Sequence, residues 1–152
     1  MAITEREARE RILAELGDAI DRIAFAVACL GEAYGLLSVG PADRLEAELY
    51  RPVQKAYGRG KRAHAQFAER IGLARREFDS PSPGRRSQGV KAFVEGALTA
   101  SAAADRGIAE LQDSMLPIES GDAELRAGLN DVRELLAELP NAAREFLRTL
   151  GR

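Results

Sequence analysis

Four stretches of the chain carry apolar residues at alternating spacings of three and four, and this heptad rhythm restricts the fold to packed amphipathic helices. Leu13, Leu16, Ile20, Ile23, Val27, Leu30, Tyr34 and Leu37 make the first stripe, and Leu125, Leu129, Val132, Leu136, Leu139, Ala143, Phe146 and Leu150 the last. Between them lie a stripe from Leu45 to Ile71 and another from Val90 to Met115. No strand-like alternation occurs. The spacing predicts helices over about 4–37, 43–74, 87–116 and 122–150, with a long loop at 75–86.

Local signals set the ends. Thr4 followed by Glu7 offers a capping box for the first helix, and Asp43 with Glu46 a second one after the break at Ser38, Gly40 and Pro41. Pro52 and Pro140 lie inside apolar stripes, where proline lacks a donor and clashes with the carbonyl four residues back, so a kink or restart is expected at each. The string RREFDSPSPGRR, from Arg75 to Arg86, has two Ser-Pro steps and Gly84, none of which favours helix. Ser87 is placed to cap the third helix, Pro117 and Gly121 to end it, and Asp122 to cap the fourth. Similar helix lengths and short first and third connections imply an all-α, antiparallel up-down-up-down four-helix bundle, kinked near Pro52 and Pro140. One domain over 1–152 suits this length, at which folding removes about 70% of the unfolded chain's accessible surface.

With one cysteine, Cys29, the chain forms no internal disulfide, which fits a reducing cytoplasm. The N-terminus MAITEREARER is charged where a secretory signal needs an apolar core, and the longest apolar run, Ile23 to Leu30, is far short of the roughly 20 residues that span a bilayer. A cytoplasmic protein without a transmembrane segment is therefore expected. No CxxC, HExxH, phosphate-cradling glycine loop or GxSxG occurs, so no metal or cofactor is expected. In an antiparallel bundle turning near residue 40, His64 falls near the level of Leu16 and Cys29 near that of Arg51. Those levels are about 20 Å apart at helical rise, which excludes a Cys-His nucleophile pair.

Charge is segregated along the chain. Residues 1–50 sum to −5, residues 51–91 to +8 and residues 92–152 to −5. Arg51, Lys55, Arg59 and Arg62 recur on one helical face, and Arg75, Arg76, Arg85 and Arg86 extend the positive segment into the loop. Such a segment would bind an acidic protein or nucleic acid, or be neutralised within the bundle by acidic neighbours such as Asp18 and Asp21. The run Ala100, Ser101, Ala102, Ala103, Ala104 leaves little side chain between backbones, so a neighbouring helix or a partner chain should approach closely there.

Arg59 and His64, in the string RGKRAH, satisfy an R-x4-H spacing that resembles the motif of the HEPN family of all-helical, metal-independent ribonucleases. The resemblance covers six residues and implies a catalytic arginine and histidine on one helix, often at a dimer interface; Gly60 departs from the polar residue usual after the arginine. The leading expectation is a non-enzymatic bundle acting by association, as an oligomer or adaptor, with a protein partner or its own copy. The alternatives are the Arg59 and His64 ribonuclease, and a small-ligand or anion sensor with a pocket near Pro52 or Pro140.

Overall fold

The computed structural model describes residues 3–150, and among them all regular structure is helical, with no strand. Helix α1 (Glu5–Leu36) starts as its sequence dictates: the Thr4 hydroxyl accepts the Glu7 amide at 3.0 Å. Of the expected stripe, Leu16, Ile20, Ile23 and Leu30 are fully buried, as is Ile12 beside it, whereas Val27 and Leu37 are half-buried and Tyr34 is exposed.

The second helical run begins earlier than its expected start at residue 43. Helix α2 (Val39–Leu45) has Ser38 at its N-cap position and Pro41 in its first turn, where the missing N–H has no intrahelical role. Asp43 and Glu46 therefore lie within helical backbone and form no cap. A π-helical turn (Glu46–Tyr50) leads directly into α3 (Arg51–Arg70). There the Arg51 amide bonds to the Glu46 carbonyl, five residues back, so the ladder widens where Pro52 withholds a donor.

Helix α3 ends at Arg70, short of the expected residue 74. Gly72 adopts φ +73° and lets Leu73 N–H reach the Ala68 carbonyl at 2.9 Å and its own N–H reach that of Glu69 at 3.2 Å, a Schellman closure. The connection to the next helix therefore runs over 71–85. A 3₁₀ turn (Arg86–Gln88) then precedes α4 (Gly89–Asp113), so Ser87 sits inside that turn and does not cap the helix. A short α5 (Leu116–Glu119) follows Met115, and Asp122 accepts the Leu125 amide at 2.8 Å to start α6 (Ala123–Ala137). Helical assignment lapses at Glu138 and resumes in α7 (Leu139–Leu150), with Pro140 in the first turn.

α1 packs most extensively on α4, and α3 on α6, with α1 also against α3. Ala97, Ser101 and Ala104 are buried on α4, as are Ala19, Ala26, Cys29 and Ala33 on α1, and a Cβ added to Gly96 would lie 3.6 Å from the Cys29 sulfur. The small residues of α4 thus serve close packing within the chain. Contacts near helix ends pair Glu32 with Arg86 and Glu5 with Ser120 between α1 and the segments flanking α4, and Arg70 with Asp122 between the end of α3 and the start of α6, while Arg59 and Asp131 meet midway along α3 and α6. No helix of the described residues is long and apolar enough to cross a membrane.

Candidate functional site

The structure divides the positive segment between two surfaces. Arg51, Lys55 and Arg59 line an open groove of about 830 Å³ beside α6, which also contains Pro52. Arg62, Arg75 and Arg76 line a separate cleft of about 610 Å³ between α3 and the 71–85 connection, together with Lys61 and Phe78. Arg85 and Arg86 belong to neither.

Neutralisation within the chain is partial. Arg59 meets Asp131 at 3.2 Å, Arg51 meets Glu46 at 3.7 Å, Arg86 meets Glu32 at 3.0 Å, and Arg76 spans both oxygens of Asp21 at 2.9 and 2.8 Å. Among the described residues no ion pair reaches Lys55, Arg62, Arg75 or Arg85. Asp21 pairs with the loop rather than with Arg59, and Asp18 lies on the α1–α4 face beside Arg22 and Arg106.

Arg76 fixes the connection onto the bundle. Its guanidinium crosses α1 at Gly17, where a Cβ would come within 2.7 Å of Nη1, and it lies 4.5 Å from the centre of the Phe78 ring. Phe78 meets the His64 ring edge-on at 5.3 Å. Beneath it His64 is 3% exposed, donates from Nε2 to the Leu13 carbonyl at 3.1 Å and leaves Nδ1 buried with no partner among the described residues. Since a carbonyl can only accept, the proton sits on Nε2. Burial pushes the imidazole pKa below its usual value against the pull of the Leu13 bond, and the Arg76 charge lowers it further.

Arg59 and His64 are not brought together. Arg59 turns to Asp131 across the α6 groove, whereas His64 turns to α1 and the loop, and the cation beside it is Arg76. Gly60 between them is buried, with Ile20 Cγ1 3.2 Å from where its Cβ would be, so close packing accounts for the glycine. Cys29 lies sixteen residues along α1 from Leu13, about 24 Å, and burial raises its pKa to about 11, keeping the thiol protonated. Sequence reasoning missed Gly17 and Phe78. Phe78 was visible as the one large apolar side chain in RREFDSPSPGRR; Gly17 carried no signal of its own.

Among the described residues no group of three or more His, Cys, Asp or Glu side chains is placed to hold a metal ion. Compared with models of known families, with characterised proteins and with solved structures, the chain matches none.

Proposed function

We propose that this chain is a non-enzymatic up-down-up-down four-helix bundle, bent at the π turn before Pro52 and at the lapse before Pro140, that works by association. Its docking site is the cleft between α3 and the 71–85 connection, and its ligand is an acidic segment of a protein partner. The observation that carries this reading is that Arg62 and Arg75 line one cleft with no carboxylate paired to either among the described residues. With Lys61 and Arg76 the cations of the cleft outnumber its two carboxylates, Glu69 and Glu77, and Phe78 adds an apolar surface, which suits a peptide that combines carboxylates with a side chain to bury. Arg76, held by Asp21 and Phe78, anchors the wall rather than the ligand.

A glutamate-rich peptide containing one aromatic residue, titrated by calorimetry at low salt, tests the reading. Arg62→Ala with Arg75→Ala should weaken binding at least about tenfold, and raised salt should weaken it further. Absent binding at low salt, or binding indifferent to both substitutions, contradicts the proposal. Single-stranded RNA of matched charge serves as comparison, and tighter binding of the RNA would replace the peptide as the ligand class.

A further inference from the structure

The groove beside α6 carries the two signs of charge on facing banks. Arg51, Lys55 and Arg59 stand on α3, and Asp131, Glu134 and Glu138 on the far side. The rows are in register. Arg59 and Asp131 touch at 3.2 Å, and a Cβ on Gly60 would be 3.8 Å from Val132. From that level, steps of four residues back along α3 reach Lys55 and Arg51, while steps of three and four forward along the other bank reach Glu134 and Glu138. Each step is about 4.5–6 Å. Only Arg59 and Asp131 join the banks; Arg51 takes Glu46 on its own side, and Lys55, Glu134 and Glu138 have no ion pair among the described residues. The floor is uncharged, with Ala47, Pro52 and Leu135.

We infer that this groove is the contact face for a second copy of the chain, related by a two-fold axis parallel to α3 and α6. Two parallel stripes of opposite sign complement themselves under one rotation only. With the axis in the interface and along the helices, the basic bank of each copy falls on the acidic bank of the other. With the axis across the helices, like would face like. The contact is isologous and closed: Arg51 of one copy meets Glu138 of the other, and the converse pair forms by the same operation. Charge complementarity over a small uncharged floor gives a weak, salt-sensitive dimer whose specificity comes from repulsion in other orientations. The surface is separate from the Arg62 and Arg75 cleft, so the two proposals fail independently.

The test is molecular mass in solution against protein concentration and salt. The wild type should approach twice the chain mass with rising concentration at low salt and return to one chain near 1 M salt, where the Debye length is about 3 Å. A variant with Arg51→Glu, Lys55→Glu and Arg59→Glu has two acidic banks, and one with Asp131→Lys, Glu134→Lys and Glu138→Lys has two basic banks. Each should be monomeric alone and dimeric when the two are mixed in equal amounts. The variant with all six changes exchanges the banks and should dimerise as the wild type does. Circular dichroism establishes that each is folded; should either single-bank variant unfold, the six-change variant and the salt series still decide. A wild type that stays monomeric, or single-bank variants that stay dimeric, would overturn the inference.

Discussion

His64 donates its Nε2 proton to the Leu13 carbonyl across 3.1 Å and thereby leaves Nδ1 as a buried nitrogen with no partner among the described residues. Protonation would place a second N–H where nothing accepts it, next to the Arg76 charge, so the fold favours the neutral ring. Because the pKa is lower folded than unfolded, the unfolded chain binds more protons as pH falls through its value of about 6.5. The contribution of His64 to stability is complete above that pH. It is lost progressively below it, down to the folded pKa. Urea midpoints measured from pH 8 downward should decline more steeply for the wild type than for His64→Leu, which cannot titrate. Parallel curves for the two proteins would show that the ring is not held neutral.

Gly17 and Arg76 form a second device with a separable effect. A methyl at position 17 would sit 2.7 Å from Arg76 Nη1, but that atom ends a flexible side chain and can move. Gly17→Ala should raise helix propensity by up to about 1 kcal/mol while displacing the guanidinium from α1. We expect a melting temperature at or slightly above wild type, together with faster hydrogen exchange or proteolysis within 71–85. Asp21→Asn, which removes the negative charge and one of the two oxygens that accept from Arg76 Nη2, should reproduce the loosening without the gain in stability. An unchanged connection in both variants would show that Arg76 does not anchor it.

Two further glycines on the α3–α6 side should respond in opposite directions. A Cβ on Gly128 would lie 2.9 Å from the Ala63 Cβ, and both atoms are fixed to helical backbone, so α3 and α6 must separate. Gly128→Ala should cost about 1–3 kcal/mol through overpacking, less the propensity gained. Gly58 has nothing within 4 Å of the corresponding point, and Gly58→Ala should stabilise by up to about 1 kcal/mol. Denaturant midpoints shifted the same way by both changes would contradict the close approach.

What the sequence made legible follows the range over which each signal acts. Thr4 and Asp122 cap as expected because a cap is chemistry across three residues, and the heptad stripe marks the core at Leu16, Ile20, Ile23 and Leu30 because burial repeats with the helix, but it runs out at the exposed Tyr34. The break expected at Pro41 is instead a helix start, because proline breaks a helix interior but is tolerated in a first turn. Gly72 marks the C-terminus of α3 by its left-handed conformation, although the apolar rhythm continues through Ile71. Pairing of charges was not legible, because it depends on the rotation of α3 about its axis and on the path of 71–85. Level arithmetic placed His64 beside Leu16, and the observed partner is Leu13, about 4.5 Å away at helical rise. That offset is small for a core contact and large for a hydrogen bond.

Besides His64 Nδ1, a second buried polar atom has no partner among the described residues. Ser101 is 2% exposed on α4, and its Oγ has no hydrogen-bond partner among the described residues. Removing the hydroxyl relieves an unmet polar group and leaves a side chain of alanine size, which the surrounding small-residue seam already accommodates at Ala97 and Ala104. Ser101→Ala should therefore stabilise by about 1 kcal/mol or more, since a buried unsatisfied group costs roughly 1–3 kcal/mol. Leu136, 3% exposed, marks the opposite case. Truncating it to alanine opens a cavity and should cost about 2–5 kcal/mol, whereas Arg62→Ala at the cleft should change stability by less than about 0.5 kcal/mol. Chemical denaturation of the three variants ranks them in one experiment. A Ser101→Ala protein less stable than wild type would mean that the hydroxyl finds a partner inside the α1–α4 seam.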